Sequence, residues 1–252
     1  MGSLLLLLAC AGCISADSRT TPPADSFIYE PAYSLDDRLR GDPKPYAFQP
    51  GDLVLPTEFD IFWSVTHDIA GAFQPHHSGI VIAMPDGSLG VLEGGPHNTL
   101  RIGILDPVES MKQYEEVGPV WVRRRAVPLT EEQSCKLTEF ALKQAGKRFA
   151  LIRQGAQMTH LGVRGPLRTW ITGRVHGPDR SAYFCSELVV EALVAGELID
   201  GKTARPRATY PRDLFMDRSY NLFLNKHLKL APDWDPPARW ISDPERPPAP
   251  RR

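Results

Sequence analysis

Ser181-Ala182-Tyr183-Phe184-Cys185-Ser186-Glu187-Leu188-Val189-Val190-Glu191-Ala192-Leu193 reads as an amphipathic helix with a cysteine in, or just before, its first turn. Leu188, Val189, Ala192 and Leu193 recur at helical spacing and form one apolar stripe. Asp179 or Ser181 can cap the start, and Pro178 lies just upstream. A thiol at that position meets the positive end of the helix dipole and backbone N–H groups that lack a helical partner. Both favour the thiolate, which is the nucleophilic form. A buried structural cysteine fits the same stretch, because free cysteines are among the most buried residues. The rest of the chain has to decide between the two.

A thiol nucleophile needs a base, and the base needs an orienting partner. Upstream, His77-Ser78-Gly79-Ile80-Val81-Ile82-Ala83-Met84 is a β-branched run closed by the turn Pro85-Asp86-Gly87-Ser88. Leu89-Gly90-Val91-Leu92-Glu93 follows as a second strand, and Gly94-Gly95-Pro96 ends it. A period of two puts His77, Gly79 and Val81 on one face, and Leu89, Val91 and Glu93 on one face of the partner. Pairing Met84 with Leu89 in a hairpin sets Glu93 opposite about residue 80, so a His77–Glu93 contact needs a bulge or the reach of the long carboxylate side chain. In that scheme His77 takes the proton of Cys185, Glu93 fixes the imidazole tautomer, and helix N–H groups form the oxyanion site. Tyr183 and Ser186 are candidates for the oxyanion site or the substrate wall, and Tyr183 fits a packing role equally. His76 is the rival base and reads as an exposed loop histidine. Glu187 is expected to face away from the thiol, capping or solvated.

The remaining chain frames this constellation. Gly51-Asp52-Leu53-Val54-Leu55 is a short strand, and Glu58–Val65 is a helix or wall segment of unclear period. Leu100–Leu105 and Val117–Val122 read as two more strands around a polar loop or short helix. Thr130-Glu131-Glu132-Gln133 is a capping box that opens a helix with Leu137, Phe140, Ala141 and Ala145 on one face, ending at Gly146. Cys135 rides on it as a core or boundary residue. Lys147–Arg180 carries Lys147, Arg148, Arg153, Arg164, Arg168, Arg174 and Arg180 against Asp179 alone. It is either a solvated loop or an active-site rim that meets anionic wall polymer or phospholipid. Pro206–Phe215 is a turn into a short helix. The chain of 252 residues has a formal net charge of −1, which points away from nucleic acid as a partner. No phosphate-cradling glycine loop and no metal constellation is found, and the adjacent His76-His77 would point to opposite faces of a strand. No cofactor is expected.

Taken in order, Gly51-Asp52-Leu53-Val54, His77-Ser78-Gly79-Ile80-Val81, Val91-Leu92-Glu93, Gly146-Lys147-Arg148-Phe149, Tyr183-Phe184-Cys185-Ser186-Glu187-Leu188-Val189 and Tyr210-Pro211-Arg212-Asp213-Leu214 resemble the permuted papain-like (YaeF/YiiX-like) amidases. These are circularly permuted relatives of NlpC-type cysteine peptidases. The resemblance spans about residues 49–216. It implies an α+β, circularly permuted papain-like fold, with a small antiparallel sheet packed against the helices over 130–145 and after Cys185. It implies Cys185 as nucleophile, His77 as base and Glu93 as orienting carboxylate. In the related lecithin–retinol acyltransferase-like proteins a second histidine orients the base, which makes His97 the rival to Glu93. The long Lys147–Arg180 segment departs from a minimal member and bears on substrate class.

Residues 1–13 resemble a bacterial lipoprotein signal: Leu4–Leu8 is a short apolar run, and Ala11-Gly12-Cys13 suits lipidation at Cys13, with Cys10 the alternative. No Lys or Arg precedes the run. On this reading residues 14–48 are a tether, 49–220 the hydrolase domain and 221–252 a proline-rich tail. The expected protein is a lipid-anchored hydrolase on the periplasmic side of a cell envelope, with the outer membrane as the expected anchor site, cleaving cell-wall peptide or isopeptide amides. The alternatives are a lipid acyltransferase or esterase and an inactive envelope binding module. A Cys135–Cys185 disulfide would favour the last.

Overall fold

The computed structural model describes residues 21–30, 32, 39, 41–57, 74–157, 169–170, 173–175, 177, 180–217 and 228–245. The signal and its Cys10 and Cys13, the Glu58–Val65 segment and part of the basic segment lie outside them. Ten strands are described: β1 (Phe27–Tyr29), β2 (Lys44–Pro45), β3 (Leu53–Pro56), β4 (Gly79–Ala83), β5 (Leu89–Gly94), β6 (Ile102–Leu105), β7 (Val120–Arg123), β8 (Arg148–Phe149), β9 (Ala182–Tyr183) and β10 (Ala238–Ile241). The helices are α1 (Pro107–Val117), α2 (Glu131–Gln144), α3 (Leu151–Gln157), α4 (Cys185–Ala195) and α5 (Pro211–Met216), with 3-10 turns at Pro96–Asn98 and Pro206–Ala208. Among the described residues no helix is long and apolar enough to cross a membrane.

Eight strands form one antiparallel sheet in the order β2-β1-β10-β7-β3-β4-β5-β6. Alternation along the strands sorts the core into two layers. Leu53, Leu55, Ile80, Ile82, Leu92 and Trp121 face α2 and α4, meeting Leu137, Phe140, Leu188, Val189 and Leu193. Val54, Val81, Val91, Val120, Val122 and Trp240 face the other way, against Met111 and Tyr114 of α1. The mixed α+β class and the antiparallel sheet match the reading of the sequence. The small sheet does not, because segments read as tether and tail supply three of its strands. β1 and β2 lie within 14–48 and β10 within 221–252, and β10 bridges β1 to β7. Trp240 of β10 is fully buried, with its indole N–H donating to Ser26 Oγ at 2.9 Å. Within the stretch read as a tail, Ala238–Ile241 is therefore part of the core.

The β4–β5 hairpin also differs by one residue from the expected register. Met84 N–H donates to Ser88 O and Met84 O accepts from Gly87 N–H, with Gly87 in the left-handed region (φ 85), so three residues form the loop tip. Ala83 therefore pairs with Leu89, and Gly79 with Glu93. That shift moves Glu93 opposite Gly79 instead of Ile80, onto the face His77 shares, and removes the need for a bulge.

The start of β3 is tied down by Asp52, which is fully buried. Its carboxyl accepts from the Tyr46 hydroxyl at 2.5 Å, the Gln49 N–H at 2.9 Å and the Arg125 N–H at 2.7 Å. The capping box of α2 forms as read, with the Thr130 hydroxyl accepting from Gln133 N–H and the Gln133 side chain accepting from Thr130 N–H.

Candidate active site

Glu93 lies at 0% exposure on β5 and accepts three hydrogen bonds. His77 Nε2 donates to Oε2 at 2.9 Å, Tyr114 Oη to Oε2 at 2.7 Å, and Ser110 Oγ to Oε1 at 3.0 Å. Burial alone would push this carboxyl up; the three donors outweigh it and hold it below its ordinary value. The carboxylate is thus a fixed anion facing one nitrogen of a buried imidazole. Gly79 makes the arrangement possible. A Cβ there would sit 2.8 Å from Glu93 Cγ and 2.9 Å from both Val54 and Val91, so only glycine opposite Glu93 lets its side chain lie across the strand and reach His77.

Cys185 is the first residue of α4 and a buried free thiol. It is therefore not joined to Cys135, and the disulfide that would favour a binding module is not formed. α4 covers the face of the sheet opposite to His77 and Glu93. Cys185 reaches the pair's end of the hairpin because Gly94, the residue after Glu93, has no side chain. A Cβ on Gly94 would lie 3.3 Å from Cys185 Cα and 3.4 Å from its N, backbone against backbone.

The start of α4 differs from its expected form. Phe184 is the N-cap residue, not Asp179 or Ser181, and its N–H donates to Glu187 Oε2 at 3.4 Å. Glu187 does cap, but it is fully buried and not solvated. It forms ion pairs with Arg180 and, at 3.2 Å, with Arg153. Two cations of the basic segment are thereby spent on an internal carboxylate, and Leu151–Gln157 of that segment is helix rather than loop. The Tyr183 hydroxyl donates to Gly177 O at 2.7 Å and the ring lies edge-on to Phe140, so Tyr183 packs and its donor is used internally. Ser186 Oγ donates to Thr209 O at 2.6 Å and ties α4 to the loop before α5. His76 is buried at 5% exposure, where a loop histidine was expected to be solvated.

His97 does not bond Glu93 directly. It stacks on Tyr114 with ring centroids 4.3 Å apart, and its Nε2 lies 3.1 Å from Ser110 Oγ. Ser110 and Tyr114 are the site residues that reading the sequence missed. α1 was a polar loop or short helix there, and only the spacing of four between the two hydroxyls could have hinted that both share a face. Among the described residues no group of three or more His, Cys, Asp or Glu could hold a metal ion.

These features define a mixed α+β protein with a mostly antiparallel sheet, whose hairpin holds a buried imidazole–carboxylate pair and, at the next residue, Gly94, meets the backbone of the cysteine that begins α4. No family model and no curated protein matches the chain. Among solved structures, the metalloprotein YiiX from Escherichia coli O157:H7 is similar at 16% identity, over 78% of this chain and 89% of that one, with a TM-score of 0.42.

Proposed function

We propose that the protein is a cysteine hydrolase, with Cys185 as nucleophile, His77 as general base and Glu93 as the carboxylate that orients it. The observation that carries this reading is the 2.9 Å bond between His77 Nε2 and a fully buried Glu93. With Nε2 turned to Glu93, Nδ1 is the nitrogen left to act as base. It takes the thiol proton as Sγ attacks a carbonyl carbon, and the first-turn N–H groups of α4 stabilise the oxyanion. The protonated imidazole then gives its proton to the departing nitrogen. A water, deprotonated by the same imidazole, cleaves the thioester and restores the thiol. The substrate proposed is a peptide or isopeptide amide of the cell envelope, reached by a protein anchored through lipid on Cys13.

A second reading, hydrolysis or transfer of a lipid acyl ester, is favoured by one surface. Leu100, Leu151 and Ile152 are exposed at 59%, 39% and 89%, near the exposed Arg101 and Arg148. Phe149 N–H donates to Leu100 O, which joins these residues at one rim, and the Phe149 ring packs on Gly95 beside the site.

The test is alkylation by iodoacetamide, followed by mass spectrometry, for wild type and His77→Ala. Cys185 should be alkylated at about pH 6 at least tenfold faster in the wild type, because the imidazole takes the thiol proton as the sulfur attacks. Equal rates would reject the Cys–His pair and leave the binding module as the better reading. Stem-peptide amides and phospholipid vesicles, offered to the same preparation, separate the two substrate classes. Gly94→Ala should leave the fold intact and slow alkylation of Cys185 by about tenfold. The new methyl group meets Cys185 backbone at 3.3 Å, so the start of α4 shifts by a few tenths of an ångström from the pair. An unchanged rate with unchanged stability would show that the Gly94 contact does not set the thiol's place.

A further inference from the structure

The hydroxyls of Ser110 and Tyr114 are one helical turn apart on α1, and both point at Glu93. An ionised carboxylate only accepts, so each hydroxyl proton is committed to it. Each hydroxyl oxygen can then accept from elsewhere, and His97 supplies both donors. Its Nε2 lies 3.1 Å from Ser110 Oγ, and its backbone N–H donates to Tyr114 Oη at 3.4 Å. His97 holds a left-handed backbone (φ 48), unusual for a residue with a side chain, and that conformation lays its ring on Tyr114. The donors form an ordered chain: His97 to Ser110 and Tyr114, both hydroxyls to Glu93, and His77 Nε2–H to Glu93.

We propose that Ser110 and Tyr114, backed by His97, are positioning residues that keep Glu93 ionised and thereby keep the His77 proton on Nε2, leaving Nδ1 deprotonated to act as base. The inference rests on the hydrolase reading for its purpose, but not for its test. Without the two hydroxyls, Glu93 sits in an apolar site with His77 as its main donor. It then takes up one proton from solvent and holds it itself. A neutral carboxylic acid donates to Nε2, which moves the imidazole proton to Nδ1 and removes the base.

Nitrogen-15 spectra of imidazole-labelled full-length protein, with His77→Gln for assignment, report the tautomer directly. Wild type should show His77 protonated at Nε2. The variant Ser110→Ala with Tyr114→Phe keeps the ring that stacks on His97 and removes only two oxygens. It should show the Nδ1–H tautomer rising at least about tenfold relative to wild type, and each single variant an intermediate ratio. If the double variant keeps the wild-type tautomer and only its melting temperature falls, the hydroxyls are structural and the inference is wrong. The spectrum does not involve Cys185. A tautomer change with no difference between wild type and His77→Ala in alkylation would therefore leave this inference standing and remove the hydrolase reading.

Discussion

Glu93→Ala should lower the free energy of unfolding by about 3–5 kcal/mol, the cost of breaking a buried ionic and hydrogen-bonded group by deleting one member. The carboxylate is fully buried, and its loss strands three donors that are themselves buried: the His77 imidazole, the Tyr114 hydroxyl and the Ser110 hydroxyl. A stranded buried donor costs about 1–3 kcal/mol. The cavity left between β5 and α1 adds to it. Total stabilities of domains run to roughly 5–15 kcal/mol, so the variant should lie close to unfolding at room temperature. Urea titration at neutral pH measures it. Glu93→Gln keeps the volume but sets an amide N–H against one of the donors, and should fall between the two. A loss below about 1 kcal/mol for Glu93→Ala would mean that the carboxylate is not the shared acceptor of the three bonds.

Asp52 gives the second large effect, through pH. Burial pushes its carboxyl up to about 7, against the hydrogen bonds from Tyr46, Arg125 and Gln49 that favour the anion. The unfolded chain releases this proton near pH ~3.9, so between about 4 and 7 the folded state holds a proton that the unfolded state has lost. Stability from this group is therefore full below about pH 4 and falls as pH rises through about 7, by about 1.4 kcal/mol per unit and about 4 kcal/mol in all. Wild type should be more stable at about pH 5 than at about pH 7.5 by about 2–3 kcal/mol from this group, and Asp52→Asn should lose that slope. The reading is taken as the difference between the two proteins, which cancels other titrating groups. Glu93, held below its ordinary value, acts in the opposite direction at a lower pH, with its stabilisation lost only as pH drops through its folded value. Parallel stability curves for wild type and Asp52→Asn would reject the raised value.

The helix at Cys185, the hairpin around Asp86-Gly87 and the capping box at Thr130 could all be read from the chain, because each is a local pattern of about ten residues with its own turn or cap chemistry. His77 and Glu93 could be named as partners from a loose hairpin match and the family resemblance. Their register could not, since Met84 closing on Ser88 instead of Leu89 shifts every pairing by one. β1 and β10 are three and four residues long and carry no period of their own. They become strands only because Phe27 pairs with Ile241 and because Trp240 has a core to enter. The burial of Glu187 could not be read from the chain, because its counter-ions, Arg153 and Arg180, come from other elements. Local residue order thus determined the hairpin, the Cys185 helix and the capped helix after Thr130, whereas the register put His77 and Glu93 on one face. Only the tertiary structure decided what surrounds that acid. Two hydroxyls of α1 and the bare backbone of Gly94 reach the site through contacts between separate elements, and sequence spacing within an element has no means of encoding such contacts.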